Sequence, residues 1–300
     1  MLAYWAGWGQ VVSAITQVGP PGVVIALALA LVNIGLRYLR WQIYLEGFGH
    51  YVPFVPSFRA FVAGFALATT PAGIGEPVVR VALLKAFSVS YSKVVAAYIA
   101  ERMSDLTSIL LLATAGLYAY PPAVPFVSVV AAVVFVLMFL VWSKQVAMAL
   151  AAVAKRSESR KLRFLRHGLE VLELCRQCVE REALLKGLIL ALLAWIAMAS
   201  AFYCLAHFAD NPIPFRTAIF IYTVSALAGA LSFLPGGVGT AEAAMITLAM
   251  VHGMPKADAV AITLVHRGVS LWFSVALGLC CYYFGAESIP PGAGRNRWPN

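Results

Sequence analysis

Two short stretches decide the architecture: TTPAGIGEP at 69–77 and LPGGVGTAE at 234–242. Each carries a P-x-G-x-G motif, Pro71, Gly73 and Gly75 in the first and Pro235, Gly237 and Gly239 in the second. Each also interrupts an apolar segment. Ser57–Thr70 runs 14 residues before the first break, and Pro77–Phe87 continues for only 11 after it. At about 1.5 Å per residue the shorter piece covers roughly 16 Å, about half of a bilayer's hydrocarbon core. Pro214–Phe233 and Thr240–His252 flank the second break in the same way. Short helices broken at Pro and Gly predict a re-entrant hairpin, because irregular backbone at membrane depth is tolerated only where protein or a cavity surrounds it. An offset of 164 superposes Pro71 on Pro235, Gly73 on Gly237 and Gly75 on Gly239 without a gap. The same offset places Leu84 on Leu248, Ala97 on Ala261 and Tyr118 on Tyr282. The segment is therefore repeated.

The rest of the chain suits a membrane. Of 300 residues 62% are apolar and 12% charged, with 22 Lys+Arg against 13 Asp+Glu. A soluble domain carries about twice that share of charge, so a soluble enzyme, a nucleic-acid-binding domain and a disordered chain are excluded. The expected fold is all-α: one integral membrane domain over 1–300, a polytopic helix bundle with two re-entrant hairpins. The formal charge of +9 is assigned to orientation and anionic headgroups. Leu2–Val18, short and with two Trp and two Gln, is read either as a poor span or as a segment lying at the interface. Its lack of a basic start and of a small-residue cleavage site argues against a removable signal peptide. Pro20–Leu45, Tyr91–Tyr118, Ala123–Trp142, Ala183–Phe208 and Pro255–Phe284 are predicted spans. Arg37 and Arg40, near the end of the first of these, are expected to snorkel to headgroups. Ser143–Glu182 holds nine Lys/Arg and five Glu, with Leu162, Leu165, Leu169, Leu172 and Val179 at helical spacing. It is predicted to be an amphipathic surface helix.

Three spans separate the hairpins, so the second must enter from the opposite face. The segments 57–118 and 214–284 then form an inverted-topology repeat. Charge agrees. Arg40, Arg59, Lys85, Lys93, the basic 143–182 stretch, Arg295 and Arg297 collect on one side, and only Arg216 and Lys256 on the other. The positive-inside rule makes the basic side, with the C-terminus, cytoplasmic in a cell membrane.

Two hairpins entering from opposite faces bring their glycine tips together near the midplane. Glycine allows tight turns and close approach of backbone to a ligand, and a helix start after each tip offers free N–H groups to an anion such as a lipid phosphate. Close helix packing is the competing explanation of the same glycines. Charge adds weight to a site. Glu101, Arg102 and Asp105 lie ten or more residues into the span from Tyr91, and His266 and Arg267 at matching depth in the repeat. With Glu76 and Arg80 after the first tip and Glu242 after the second, they form a predicted midplane cluster in which His266 can titrate. Intramembrane charge of this kind marks a substrate path, or else buried pairs that fix helix register.

Other candidates fall away. GIGEPV and GVGTAE match half of a dinucleotide fingerprint and follow no strand. Cys175 and Cys178 form a lone C-x-x-C with nothing to complete a metal site. Ser232 beside Pro235–Gly237 has no Lys or His partner in sequence. The tryptophans (Trp5, Trp8, Trp41, Trp142, Trp195, Trp272, Trp298) are assigned to interface anchoring, and Glu46, His50 and Asp210 to solvated connections. No catalytic residue, metal or cofactor is expected, and the chain is not expected to be an enzyme.

TTPAGIGEPVVRVALLK, the ER-x-x-D of Glu101, Arg102 and Asp105, LPGGVGTAEAAM and the HR at 266–267 resemble the lysylphosphatidylglycerol synthase transmembrane (flippase) family, which includes the membrane half of the multiple peptide resistance factor. The likeness covers nearly the whole chain. It implies a translocase moving an anionic or aminoacylated phospholipid, or a lipid-linked precursor, between leaflets. Family-typical positions are Pro71, Gly73, Gly75, Glu76, Arg80, Glu101, Arg102 and Asp105, then Pro235, Gly236, Gly237, Gly239, Glu242 and Arg267. The first tip reads PAG where the family more often has PGG. Members that make lysyl-lipid carry a soluble transferase domain after the membrane part, whereas this sequence ends shortly after Phe284. A separate lipid-modifying enzyme is therefore the implied partner, alongside the lipid itself, and Gly-rich faces are compatible with a homodimer. Secondary transport of a small soluble anion and an integral-membrane lipid-phosphate transferase are the alternatives.

Overall fold

A computed structural model of the chain describes residues 8–114, 117, 120–143, 145, 148, 160–178 and 181–286. Leu2–Gly7, Tyr118, Val179 and the C-terminal Arg295 and Arg297, all used above, lie outside them. The described residues form helices and turns with no strand, in the order α1 (Trp8–Gly47), α2 (Phe54–Gly64), α3 (Gly75–Leu84), α4 (Tyr91–Thr114), α5 (Val124–Trp142), α6 (Arg160–Cys178), α7 (Arg181–Phe208), α8 (Phe215–Leu231), α9 (Thr240–Val251), α10 (Lys256–Arg267) and α11 (Phe273–Ala286). Among the described residues four helical segments are long and apolar enough to cross a membrane: Gly9–Gly47, Pro121–Leu140, Glu182–Phe208 and Lys256–Phe284. The protein is a multi-pass membrane protein.

Local chemistry explains the breaks. Helix α1 bends at Gly19 (φ 63, ψ 172), ahead of Pro20 and Pro21, because two prolines remove consecutive ladder donors. Val11, Ala14 and Val18 are buried in a core shared with α4, α5 and α7–α10. The four short helices, α2, α3, α8 and α9, have 11, 10, 17 and 12 residues, and each is too short for about 30 Å of hydrocarbon. Their sequence order repeats: short helix, 3-10 turn, short helix, long helix. In the first set α2 packs on α3, and in the second α8 packs on α9. The second pair closes at Gly237 (φ +63), where a Cβ would stand 2.9 Å from the backbone of Gly229. A side chain there would push α8 from the turn.

Helix α4, at 24 residues, is long enough to cross, yet its charges take it out of the purely apolar class. Two apolar cores flank those charges. One includes Val94, Ala96, Ala97 and Ala100 of α4 with α2 and the second half of α1; the other takes Ile109, Leu110 and Ala113 with α5 and α7–α10. Glu101, Arg102 and Asp105 fall in the seam. Helix α6 turns Val171, Leu174, Cys175 and Cys178 into the first core, and the Cys175 Sγ donates to Ala96 O at 3.7 Å. It packs on α4. Two connections expected to be merely solvated are tied down: Gln17 Nε2 donates to Asp210 Oδ2 at 2.8 Å, and His50 accepts from Lys93 Nζ at 3.0 Å.

Candidate functional site

The two Pro/Gly turns, Pro71–Gly73 and Pro235–Gly237, lie against each other. A Cβ built on Gly236 would meet the Thr69 methyl at 3.5 Å and Leu271 at 3.2 Å. Each turn is secured to a long helix by its own carbonyl. In the first, Tyr98 of α4 donates to Gly73 O at 3.0 Å, and Thr70 Oγ1 accepts from the Gly75 N–H at 2.9 Å. In the second, Arg267 Nη2 of α10 donates to Gly236 O at 2.8 Å. The same guanidinium uses Nε on Glu242 Oε1 at 2.6 Å, while Glu242 Oε2 reaches back to the Gly239 N–H at 2.7 Å. Glu242 is the third residue of α9, so its carboxylate caps the helix start and complements its positive end. A π-turn, Gly268–Trp272, follows Arg267 directly.

The first half holds most of the charge. Arg80 of α3 is fully buried and donates from Nη1 to Glu101 Oε2 at 2.7 Å and from Nη2 to Glu76 Oε2 at 3.3 Å. Its guanidinium lies over the Phe61 and Trp41 rings, 4.4 and 4.7 Å from their centroids. Carboxylates take both of its Nη groups and aromatic faces its plane, with only the buried Nε left without an acceptor, so Arg80 joins the hairpin to α1 and α4. Asp105 accepts from two donors, Arg40 Nη1 at 2.8 Å and Trp195 Nε1 at 3.2 Å, and its other oxygen pairs with Arg102 Nη2 at 3.0 Å.

Sequence reasoning placed some of these residues well and missed others. Glu76, Arg80, Glu101, Arg102, Asp105, Glu242 and Arg267 do gather at the two tips. His266 does not join them. It is buried between the Phe202 and Tyr222 rings, with Nε2 donating to Met198 O at 3.1 Å. Arg40 does not snorkel; it is wholly buried on Asp105. Trp41 and Trp195 are part of the site rather than interface anchors. The available signal was spacing: Arg37, Arg40, Trp41 and Tyr44 share one face of α1 at intervals of three and four, and Tyr44 meets Ser104 of α4 at 2.9 Å.

The match to known proteins follows the same span. The family model "Lysylphosphatidylglycerol synthase TM region" matches residues 1–278. The chain belongs to that family. It is 25% identical to a UPF0104 membrane protein of Pyrococcus horikoshii, across 93% of this chain and 91% of that one. A UPF0104 membrane protein of Methanothermobacter thermautotrophicus is 25% identical across 94% and 90%. A phosphatidylglycerol lysyltransferase of Staphylococcus haemolyticus is 30% identical over 96 residues, 31% of this chain and 11% of that one. The chain is thus a distant homologue of that lysyltransferase.

Proposed function

We propose that this chain is a lipid translocase, not an enzyme, that carries a phosphate-bearing headgroup between leaflets past the two touching tips while the acyl chains stay in the bilayer. One observation carries the reading. Buried guanidinium groups sit beside the tips, yet the tip rims are apolar and uncovered: Ile74 is 65% and Phe233 70% exposed, with Leu67, Val78, Leu234 and Val238 also exposed. In a membrane, uncovered apolar residues face lipid. A polar path with an apolar rim suits a molecule that has a charged head and greasy tails. A carrier of a small soluble anion needs instead a polar cavity closed to lipid.

The repeated helix order supports two re-entrant hairpins of opposite orientation. In that arrangement the basic side, including α6, faces the cytoplasm. Arg80 and Arg267 hold the hairpins in place, and Arg102 is left to meet the headgroup. The name of the Staphylococcus relative makes phosphatidylglycerol and its aminoacyl ester the first lipids to try, with a separate lipid-modifying enzyme as supplier.

The test is translocation of fluorescent phosphatidylglycerol in proteoliposomes, read by chemical quenching of the outer leaflet. Protein-dependent exposure of inner-leaflet lipid is expected. Flux of inorganic phosphate without any lipid movement would overturn the reading.

A further inference from the structure

Arg80, Glu76 and Glu101 do not balance the whole cluster. Around the first tip four guanidinium groups (Arg37, Arg40, Arg80, Arg102) face three carboxylates (Glu76, Glu101, Asp105), which leaves one net positive charge in a largely buried layer. Several of their N–H groups find no protein acceptor: Nε of Arg37, Nε and Nη2 of Arg40, Nε of Arg80, and Nε and Nη2 of Arg102. Arg37 has no carboxylate of its own among the described residues; its guanidinium lies 4.8 Å from the Phe65 ring centroid, at the base of the tip. Arg102 stands over Tyr98 at 5.1 Å, and Tyr98 is the residue bonded to the tip carbonyl. The two arginines therefore flank one turn. They also lie within each other's electrostatic range, and Tyr222 of α8 lies within range of both Arg37 and Arg267.

Two guanidinium groups within electrostatic range, each with buried N–H groups that find no acceptor, repel each other and carry a desolvation cost. An anion placed between them removes both penalties. A planar guanidinium presents paired donors that match phosphate oxygens. One net positive charge is matched by one negative charge, that of a phosphodiester. Arg102, with its side chain 35% exposed, is the accessible arm, and Arg40 holds the Asp105 carboxylate that pairs with Arg102.

We infer that Arg37 and Arg102 form a phosphodiester clamp at the base of the first tip. This assigns Arg37 to binding and Arg80 and Arg267 to structure, and it rests on the translocase reading for the claim that the phosphodiester belongs to a lipid.

The experiment uses the full chain in detergent. Stabilisation on titration with dioctanoyl phosphatidylglycerol, inorganic phosphate and uncharged dioctanoylglycerol is followed by melting, for wild type, Arg37→Gln, Arg102→Gln and Lys186→Gln, a surface control 61% exposed. The clamp predicts saturable stabilisation by phosphatidylglycerol, lost by about tenfold or more in affinity in either Arg variant, since each removes charge-assisted hydrogen bonds. Lys186→Gln is expected to bind as wild type, and dioctanoylglycerol not at all. Unchanged phosphatidylglycerol affinity in both Arg variants overturns the clamp. Inorganic phosphate binding as tightly as the lipid, with the same loss in both variants, upholds the clamp and overturns the lipid assignment. If Arg37→Gln does not fold, Arg102→Gln together with Arg37→Lys, which keeps charge but loses the fork, decides the question in the same way.

Discussion

Neutralising Glu101 tests the role given to Arg80. Both side chains of the Arg80–Glu101 pair are 0% exposed and meet at 2.7 Å. Glu101→Gln keeps the volume but removes the charge that compensates a buried guanidinium. Breaking such a pair from one side costs about 3–5 kcal/mol. Glu76 at 3.3 Å and the faces of Phe61 and Trp41 remain, which favours the lower end, about 3 kcal/mol. At about 1.4 kcal/mol per factor of ten, the ratio of folded to unfolded protein falls by roughly two orders of magnitude. Unfolding in mixed micelles, followed by tryptophan fluorescence, measures it. The same physics gives a second arm. Arg80→Met with Glu101→Leu removes one charge of each sign, keeps the net charge of the layer and is expected to recover most of the lost stability, because apolar replacement of a whole buried ion pair is often neutral. A Glu101→Gln protein with wild-type unfolding, or a double variant worse than the single one, refutes the assignment of Arg80 as a strut.

Three further outcomes follow from the packing. Gly278 of α11 sits against the backbone of Val62, Phe65 and Ala66; Gly278→Leu is expected to separate α11 from α2 and cut the yield of folded, monodisperse protein, whereas the same substitution at Gly35, with open space around it, leaves the yield unchanged. Arg267→Ala frees the second tip by removing its bond to Gly236 O, and lipid translocation is expected to fall about tenfold; Arg267→Lys does not restore it, because a single ammonium does not reproduce the fork that reaches both Gly236 and Glu242. Burial pushes the Cys175 thiol up to about 12; the reactive thiolate is then scarce below that pH, and maleimide at pH 8 is expected to label Cys175 only after denaturation.

The broken helices were legible because their cause is local. Pro and Gly at fixed spacing stop a helix whatever surrounds it, so both tips and their short flanking helices could be placed from Pro71–Gly75 and Pro235–Gly239. The charges on α4 were legible as a cluster because any ionisable group that deep needs a partner. Which partner it takes depends on helix rotation and packing, and sequence offset carries no such information. The offset set Arg102 opposite His266, whereas packing paired Arg267 with Glu242 and turned His266 toward Met198. Arg40 was misplaced for a related reason. Near the end of an apolar run, the headgroup layer and the interior both accept an arginine, and only the position of Asp105 on a neighbouring helix decides between them. Trp41 and Trp195 followed Arg80 and Asp105 inward.

The meeting of the two tips is open to direct test. The Thr69 methyl stands 3.5 Å from a Cβ built at Gly236, so cysteines at 69 and 236 bring the thiol of one beside the Cβ of the other; Gly236 has φ +62, and a side chain there costs about 1–2 kcal/mol. Lipid translocation by the Thr69→Cys, Gly236→Cys protein, compared oxidised and reduced in the same proteoliposomes, is the decisive measurement. The two tips joined are expected to stop translocation, and reduction to restore it. Efficient cross-linking with undiminished translocation would show that lipid does not pass where the tips meet.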